Sequence, residues 1–118
     1  MYTSLSDYQK WSQALRTNKL LDLEAVLSRT KFAMPQKTDS FYAAGWFFRQ
    51  PSAPVLFHSG STCGFNNYVV SIPSKQFLMV YFSNRAENKV NAVKLMKLLA
   101  KAGYSEPADI LPLDDLTQ

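Results

Sequence analysis

A chain of 118 residues, 47% of them apolar, has room for one hydrophobic core and not two, so a single domain over residues 1–118 is expected. Its net charge of +4 is spread over thirteen scattered Lys and Arg, which argues against nucleic acid as the natural partner. One cysteine, Cys63, excludes an intramolecular disulfide, and together with the single histidine, His58, five residues before it, falls short of a zinc ligand set, so neither a metal nor another cofactor is expected.

The first twenty residues contain no apolar run long enough for a signal peptide or a membrane span, so no membrane partner is expected and the compartment is left open. Ser4-Leu5-Ser6-Asp7 supplies capping serines and an acid in a first turn, and Tyr8, Trp11 and Leu15 then recur at helical spacing. This predicts a helix over 6–16. Asn18-Lys19 is turn-like, and Asp22 can cap a short second helix that turns Leu23, Val26 and Leu27 inward. Residues 30–40 contain Pro35 and no period, and read as a loop.

From Phe41 onward, aromatic and β-branched residues come in short runs separated by turn residues, which predicts strands at 41–49, 54–59, 65–72 and 76–83. The connectors are 50–54, the polar break 60–64, and Pro73-Ser74-Lys75, all short enough for sequential hairpins. Asn88 can cap a last helix with Ala92, Leu95, Met96 and Leu99 as its apolar stripe, Lys94, Lys97 and Lys101 pointing away, and Gly103 as its stop. The expected fold is α+β: a four-stranded antiparallel meander with two short N-terminal helices and a C-terminal helix packed on the sheet. The tail 104–118, with two prolines and several acids, has no period and is expected to be only partly ordered. Strands 65–72 and 76–83 are apolar at nearly every position, so both sheet faces need cover. An exposed face would favour a homodimer formed through it.

The segment Phe57-His58-Ser59-Gly60-Ser61-Thr62-Cys63-Gly64-Phe65 places polar groups and two glycines between apolar runs, where a ligand can be held. A self-contained nucleophile and base is disfavoured there. His58 and Ser59 are adjacent on a strand and face opposite ways, and no acid close in sequence orients the ring, although Ser61 beyond Gly60 is within reach. The glycines could cradle an anion, but the lysine and following helix of a phosphate loop are missing. The aromatic run Tyr42, Trp46, Phe47 and Phe48 could stack bases, yet aromatic strand residues more often form core than platform.

Several motifs in order resemble the last third of the penicillin-recognising serine hydrolases, the class C β-lactamase-like family. They are Ser-x-x-Asp-x-x-x-Trp at residues 4–11, Tyr42-Ala43-Ala44-Gly45-Trp46, His58-Ser59-Gly60 in the place of the family's Lys-Thr-Gly or His-x-Gly signature, and Gly64-Phe65-Asn66-Asn67. The similarity covers about residues 2–103. By position it implies that His58 helps bind the substrate carboxylate or tunes a proton network, and that Ser59 hydrogen-bonds an acyl substrate. Gly60 would let the substrate backbone approach, and the main-chain N–H of Ser61 would serve as one of two oxyanion donors. The implied partner is a small-molecule or peptide-like acyl substrate: a β-lactam, an ester or a D-amino peptide.

The resemblance brings no counterpart of the family's Ser-x-x-Lys nucleophile and base or of its Tyr-x-Asn or Tyr-x-Ser motif, both of which belong ahead of the matched segment. The expectation is therefore a C-terminal portion of such a hydrolase, a fragment or an independent short reading frame, that supplies the substrate-binding strand and is not catalytic alone. Two other classes stand beside it: a non-enzymatic interaction module that reuses the sheet, and a basic single-strand nucleic-acid binder.

Overall fold

The computed structural model describes residues 2–33, 40–49, 55–85 and 89–103, with side chains described throughout these except at 40, 49, 89–93 and 96. Among the described residues there are three α-helices and one sheet. In chain order the elements are α1 (Leu5–Arg16), α2 (Leu23–Thr30), β1 (Phe32–Ala33), β2 (Ser40–Ala43), β3 (Trp46–Arg49), β4 (Val55–Thr62), β5 (Phe65–Ile72), β6 (Phe77–Ser83) and α3 (Lys89–Lys101). The fold is α+β, as expected, but the antiparallel sheet has six strands and not four, ordered β1-β2-β3-β4-β5-β6.

Local chemistry sets the helix ends. The Ser4 hydroxyl accepts from the Asp7 N–H at 3.1 Å and donates to its carboxylate at 2.9 Å, which satisfies an otherwise orphaned donor of the first turn. At the other end Asn18 takes a left-handed conformation, φ 53°. The Lys19 N–H then reaches back to the Ala14 carbonyl and the Asn18 N–H to that of Leu15, the paired bonds that close a helix through an αL residue. Asp22 caps α2 by accepting from the Ala25 N–H at 3.0 Å.

The two additional strands have separate causes. The run expected as one strand over 41–49 is folded at Ala44-Gly45, whose φ angles of 49° and 84° are both positive, as a two-residue type I′ turn requires. It thereby becomes the β2–β3 hairpin, with Phe41↔Phe48 and Ala43↔Trp46 opposite each other. β1 lies within the stretch read as a loop, and pairing with β2, Phe32↔Tyr42 and Ala33↔Phe41, makes it a strand. Pro35 and the rest of 34–39, the 50–54 connector, the Asn88 cap and the tail 104–118 lie outside the described residues, as do the side chains of Ala92 and Met96.

The chain divides into two compact units. The first, Met1–His58 with Val69–Tyr81, holds the core. Leu15 of α1 and Leu23 and Leu27 of α2 pack with Ala43, Trp46, Phe48, Leu56 and Val69 of the sheet, with Tyr8, Phe41, Leu78 and Val80 at the margin. Trp11 stacks over buried Trp46 with ring centroids 6.1 Å apart. Residues 69–72 of β5, three apolar side chains and Ser71, are buried at every position, so both faces of that stretch are covered. The second unit, Ser59–Tyr68 with Phe82–Gln118, contains the tip of the β4–β5 hairpin and α3. Here the Asn66 Nδ2 donates to the Arg85 carbonyl at 2.9 Å. In α3, Leu95 and Leu99 are half-buried while Lys94, Lys97 and Lys101 are exposed.

Candidate functional site

The stretch expected as a break between strands is mostly strand. β4 runs through Gly60 and Ser61 to Thr62, and only Cys63-Gly64 forms the turn, again with two positive φ angles, 49° and 82°. Backbone pairing across a type I′ hairpin holds Ser, Gly and Thr extended, although their composition favours a loop. The four residues singled out from the sequence, His58, Ser59, Gly60 and Ser61, are therefore consecutive on one strand.

The register of that strand defines the candidate site. β3 and β4 pair at Arg49↔Val55, Phe48↔Leu56 and Phe47↔Phe57, and the register ends there. Residues 58–62 continue β4 beyond its last described pair with β3. A strand that runs past its neighbour can present alternating N–H and C=O groups to whatever is laid along it.

An aromatic ladder leads up to this stretch. Tyr42 meets Phe47 at 4.8 Å between ring centroids, Phe47 stacks on Phe57 at 5.6 Å, and the His58 ring lies 6.0 Å from Phe47. His58, Ser59 and Gly60 are half-buried and Ser61 is exposed. His58 and Ser59 are adjacent on one strand, where successive side chains point to opposite faces.

Gly60 has an internal reason to be glycine. A Cβ built there would lie 3.0 Å from Asn67 Oδ1 on the neighbouring strand. The missing side chain makes room for the Asn67 carboxamide. Asn67 thus joins the site. Its place in Gly64-Phe65-Asn66-Asn67 marked it in the sequence, but its contact with Gly60 follows from the two-residue turn.

Short motifs elsewhere match the family's nucleophile patterns by letter, and the sequence reading passed over them. Ser28-Arg29-Thr30-Lys31 is a literal Ser-x-x-Lys, but it closes α2 at its C-terminus, where unpaired carbonyls oppose a developing negative charge. Both side chains are exposed, and the Lys31 ammonium sits 5.0 Å over the Phe41 ring. Tyr2-Thr3-Ser4 and Tyr81-Phe82-Ser83 match Tyr-x-Ser. The Ser4 hydroxyl caps α1, and that of Ser83 accepts from the Arg85 N–H at 3.1 Å.

Among the described residues no group of three or more His, Cys, Asp or Glu is placed to hold a metal ion, and no helix is long and apolar enough to cross a membrane.

These features belong to a known class. The family model described as Beta-lactamase matches residues 1–103, and the chain belongs to the β-lactamase family. Comparisons with curated proteins and with solved structures return no match.

Proposed function

We propose that β4 is the substrate-binding strand of a β-lactamase-like serine hydrolase, and that this 118-residue chain does not by itself carry out covalent catalysis. The observation that carries the reading is the register of β4. Its residues 58–62 run past the last described β3 pair, Phe47↔Phe57, which supports a main-chain edge available to a ligand at the His58-Ser59-Gly60 signature. An acyl substrate laid along this edge would meet the Ser59 hydroxyl and the half-buried His58 ring, with the Ser61 N–H as an oxyanion donor whose action depends on backbone position and not on its side chain. Acyl transfer also needs a nucleophile with its base in reach, and the one literal Ser-x-x-Lys, at Ser28 and Lys31, sits exposed at the wrong end of a helix for that work.

The test has two arms. The purified chain is treated with a fluorophosphonate probe and, in parallel, with benzylpenicillin, and read by intact mass. No adduct is the expected result, and a stoichiometric adduct on Ser59, Ser61 or Ser28 overturns the assignment of an inactive chain. In the second arm benzylpenicillin and an uncharged acyl ester are titrated against the 15N-labelled chain. Amide shifts confined to 58–62 support the substrate-strand reading. Silence there, with both ligands, favours an interaction module built on the same sheet.

A further inference from the structure

A polar side chain taken out of water needs a partner, and Asn66 on β5 is buried, 7% exposed. Its Nδ2 donates to the main-chain carbonyl of Arg85 at 2.9 Å, across 19 positions of sequence. The Arg85 N–H in turn donates to the Ser83 hydroxyl at 3.1 Å. β6 ends at Ser83, so the Asn66 side chain ties β5 to the chain that has just left the sheet.

The place of Asn66 in the hairpin gives this tie a second consequence. The two-residue turn at Cys63-Gly64 sets Thr62 opposite Phe65, Ser61 opposite Asn66 and Gly60 opposite Asn67, and the close approach of Asn67 to Gly60 agrees. The pair that flanks such a turn exchanges main-chain hydrogen bonds and the pairs alternate from there, so Ser61 and Asn66 form a non-hydrogen-bonded pair. In such a pair the Cα atoms are close, about 4.5 Å, and each residue turns its N–H and C=O away from the other. The Ser61 N–H therefore points away from β5, and its direction is not fixed by a ladder bond to that strand. It also lies two residues from a turn in which Cys63 takes a left-handed conformation that its side chain disfavours.

We propose that Asn66 is a positioning residue for the Ser61 N–H: through the Arg85 carbonyl it anchors the tip of the β4–β5 hairpin and so holds the donor opposite it in one direction. This rests on the reading of β4 as the substrate-binding strand. A donor for a developing oxyanion is effective when it is aimed beforehand, so a hairpin tip free to twist weakens ligand binding while the core of the sheet stays folded. Asn66 acts through Ser61 and needs no contact of its own with the ligand.

The experiment uses the full 118-residue chain, 15N-labelled, with Asn66→Ala and with Asn66→Asp, which keeps the shape and loses the N–H donor. The order parameter of the Ser61 amide is expected near about 0.85 in the parent and below about 0.6 in both variants at about pH 8, with the amides of Leu56 and Val70 unchanged. Lowering the pH toward about 5 should restore the order of Ser61 in Asn66→Asp and not in Asn66→Ala, because a buried carboxyl facing a carbonyl favours its protonated form, which donates as the carboxamide does. Benzylpenicillin should bind both variants at least about threefold more weakly than the parent at about pH 8, read from the amides of 58–62. Unchanged order at Ser61 in both variants overturns the proposal, and so does an equal loss of order along β4, β5 and β6, which a loss of packing alone gives. Should Asn66→Ala not fold, the two pH values of Asn66→Asp decide. A parent chain silent to benzylpenicillin sinks the reading of β4 instead, and the order of Ser61 then still decides whether Asn66 aims this N–H.

Discussion

The Asn67 carboxamide occupies the volume that a side chain at residue 60 would need, with its Oδ1 3.0 Å from the position of a Cβ on Gly60. The signature glycine of β4 and the asparagine of β5 are therefore one packing unit, and the first prediction tests it. Gly60→Ala gains roughly 0.5–1 kcal/mol from the lower entropy of the unfolded chain but forces the amide aside, and we expect a net loss of about 1 kcal/mol. In an Asn67→Gly background the clash is absent and the same substitution should stabilise. Urea unfolding of the four chains of this cycle reads the sign change, and a loss of equal size in both backgrounds would refute the pairing.

The stack of Trp11 on Trp46 joins two residues of unequal burial, Trp46 at 7% exposed and Trp11 at 40%. Trp46→Ala removes a side chain from the core cluster and should cost about 3–5 kcal/mol. Trp11→Ala gives up a ring contact and partial burial, for which about 1 kcal/mol is expected. Denaturant midpoints with unchanged m-values would establish the order, and equal costs would contradict it.

Ala44 and Cys63 each occupy the first central position of a type I′ turn, at φ 49°. Neither is a residue that prefers the left-handed region, whereas asparagine enters it readily. Ala44→Asn and Cys63→Asn should each raise stability by about 1 kcal/mol, additively because the turns are separate. Thermal melts of the single and double variants check this, and a fall in Tm for either would show that its turn is held by other contacts.

Burial pushes the Tyr8 hydroxyl up from 10.0 to about 12. The folded state then holds this proton more tightly than the unfolded one. The contribution of Tyr8 is fully present below pH 10 and is lost as pH rises from 10 toward 12. Tyr8→Phe removes this proton from the balance, so its alkaline unfolding curve should be less steep than that of the parent over the same range. Superimposable curves would show that Tyr8 ionises alike in both states.

What was legible in the sequence was what depends on a few neighbouring residues. Ser4 and Asp22 cap their helices as their side chains predict, and Lys94, Lys97 and Lys101 point to solvent as their spacing in α3 requires. What was missed depends on pairing. Phe32-Ala33 is a strand because Phe41 and Tyr42 lie opposite, and nothing within those two residues says so. Ala44-Gly45 lacks the asparagine that signals a hairpin, so two strands read as one. The polar stretch after Phe57 was misjudged in form. Gly60, Ser61 and Thr62 have the composition of a loop, and the tight turn at Cys63-Gly64 holds them as strand. The literal Ser-x-x-Lys at Ser28 shows the converse: letters can match at the exposed C-terminal end of a helix, where the dipole opposes a developing negative charge.

The strands of this sheet stand beside one another in the order in which they are synthesised, and two of the links between them are only two residues long. Each new strand therefore finds its partner in the strand just made, at little cost in loop closure. A hairpin of this kind forms in about 1–10 μs, far ahead of the addition of the next residue by the ribosome. Assembly of the sheet can thus keep pace with translation and proceed from β1 toward β6, with the edge of β4 laid down before β6 and α3 exist.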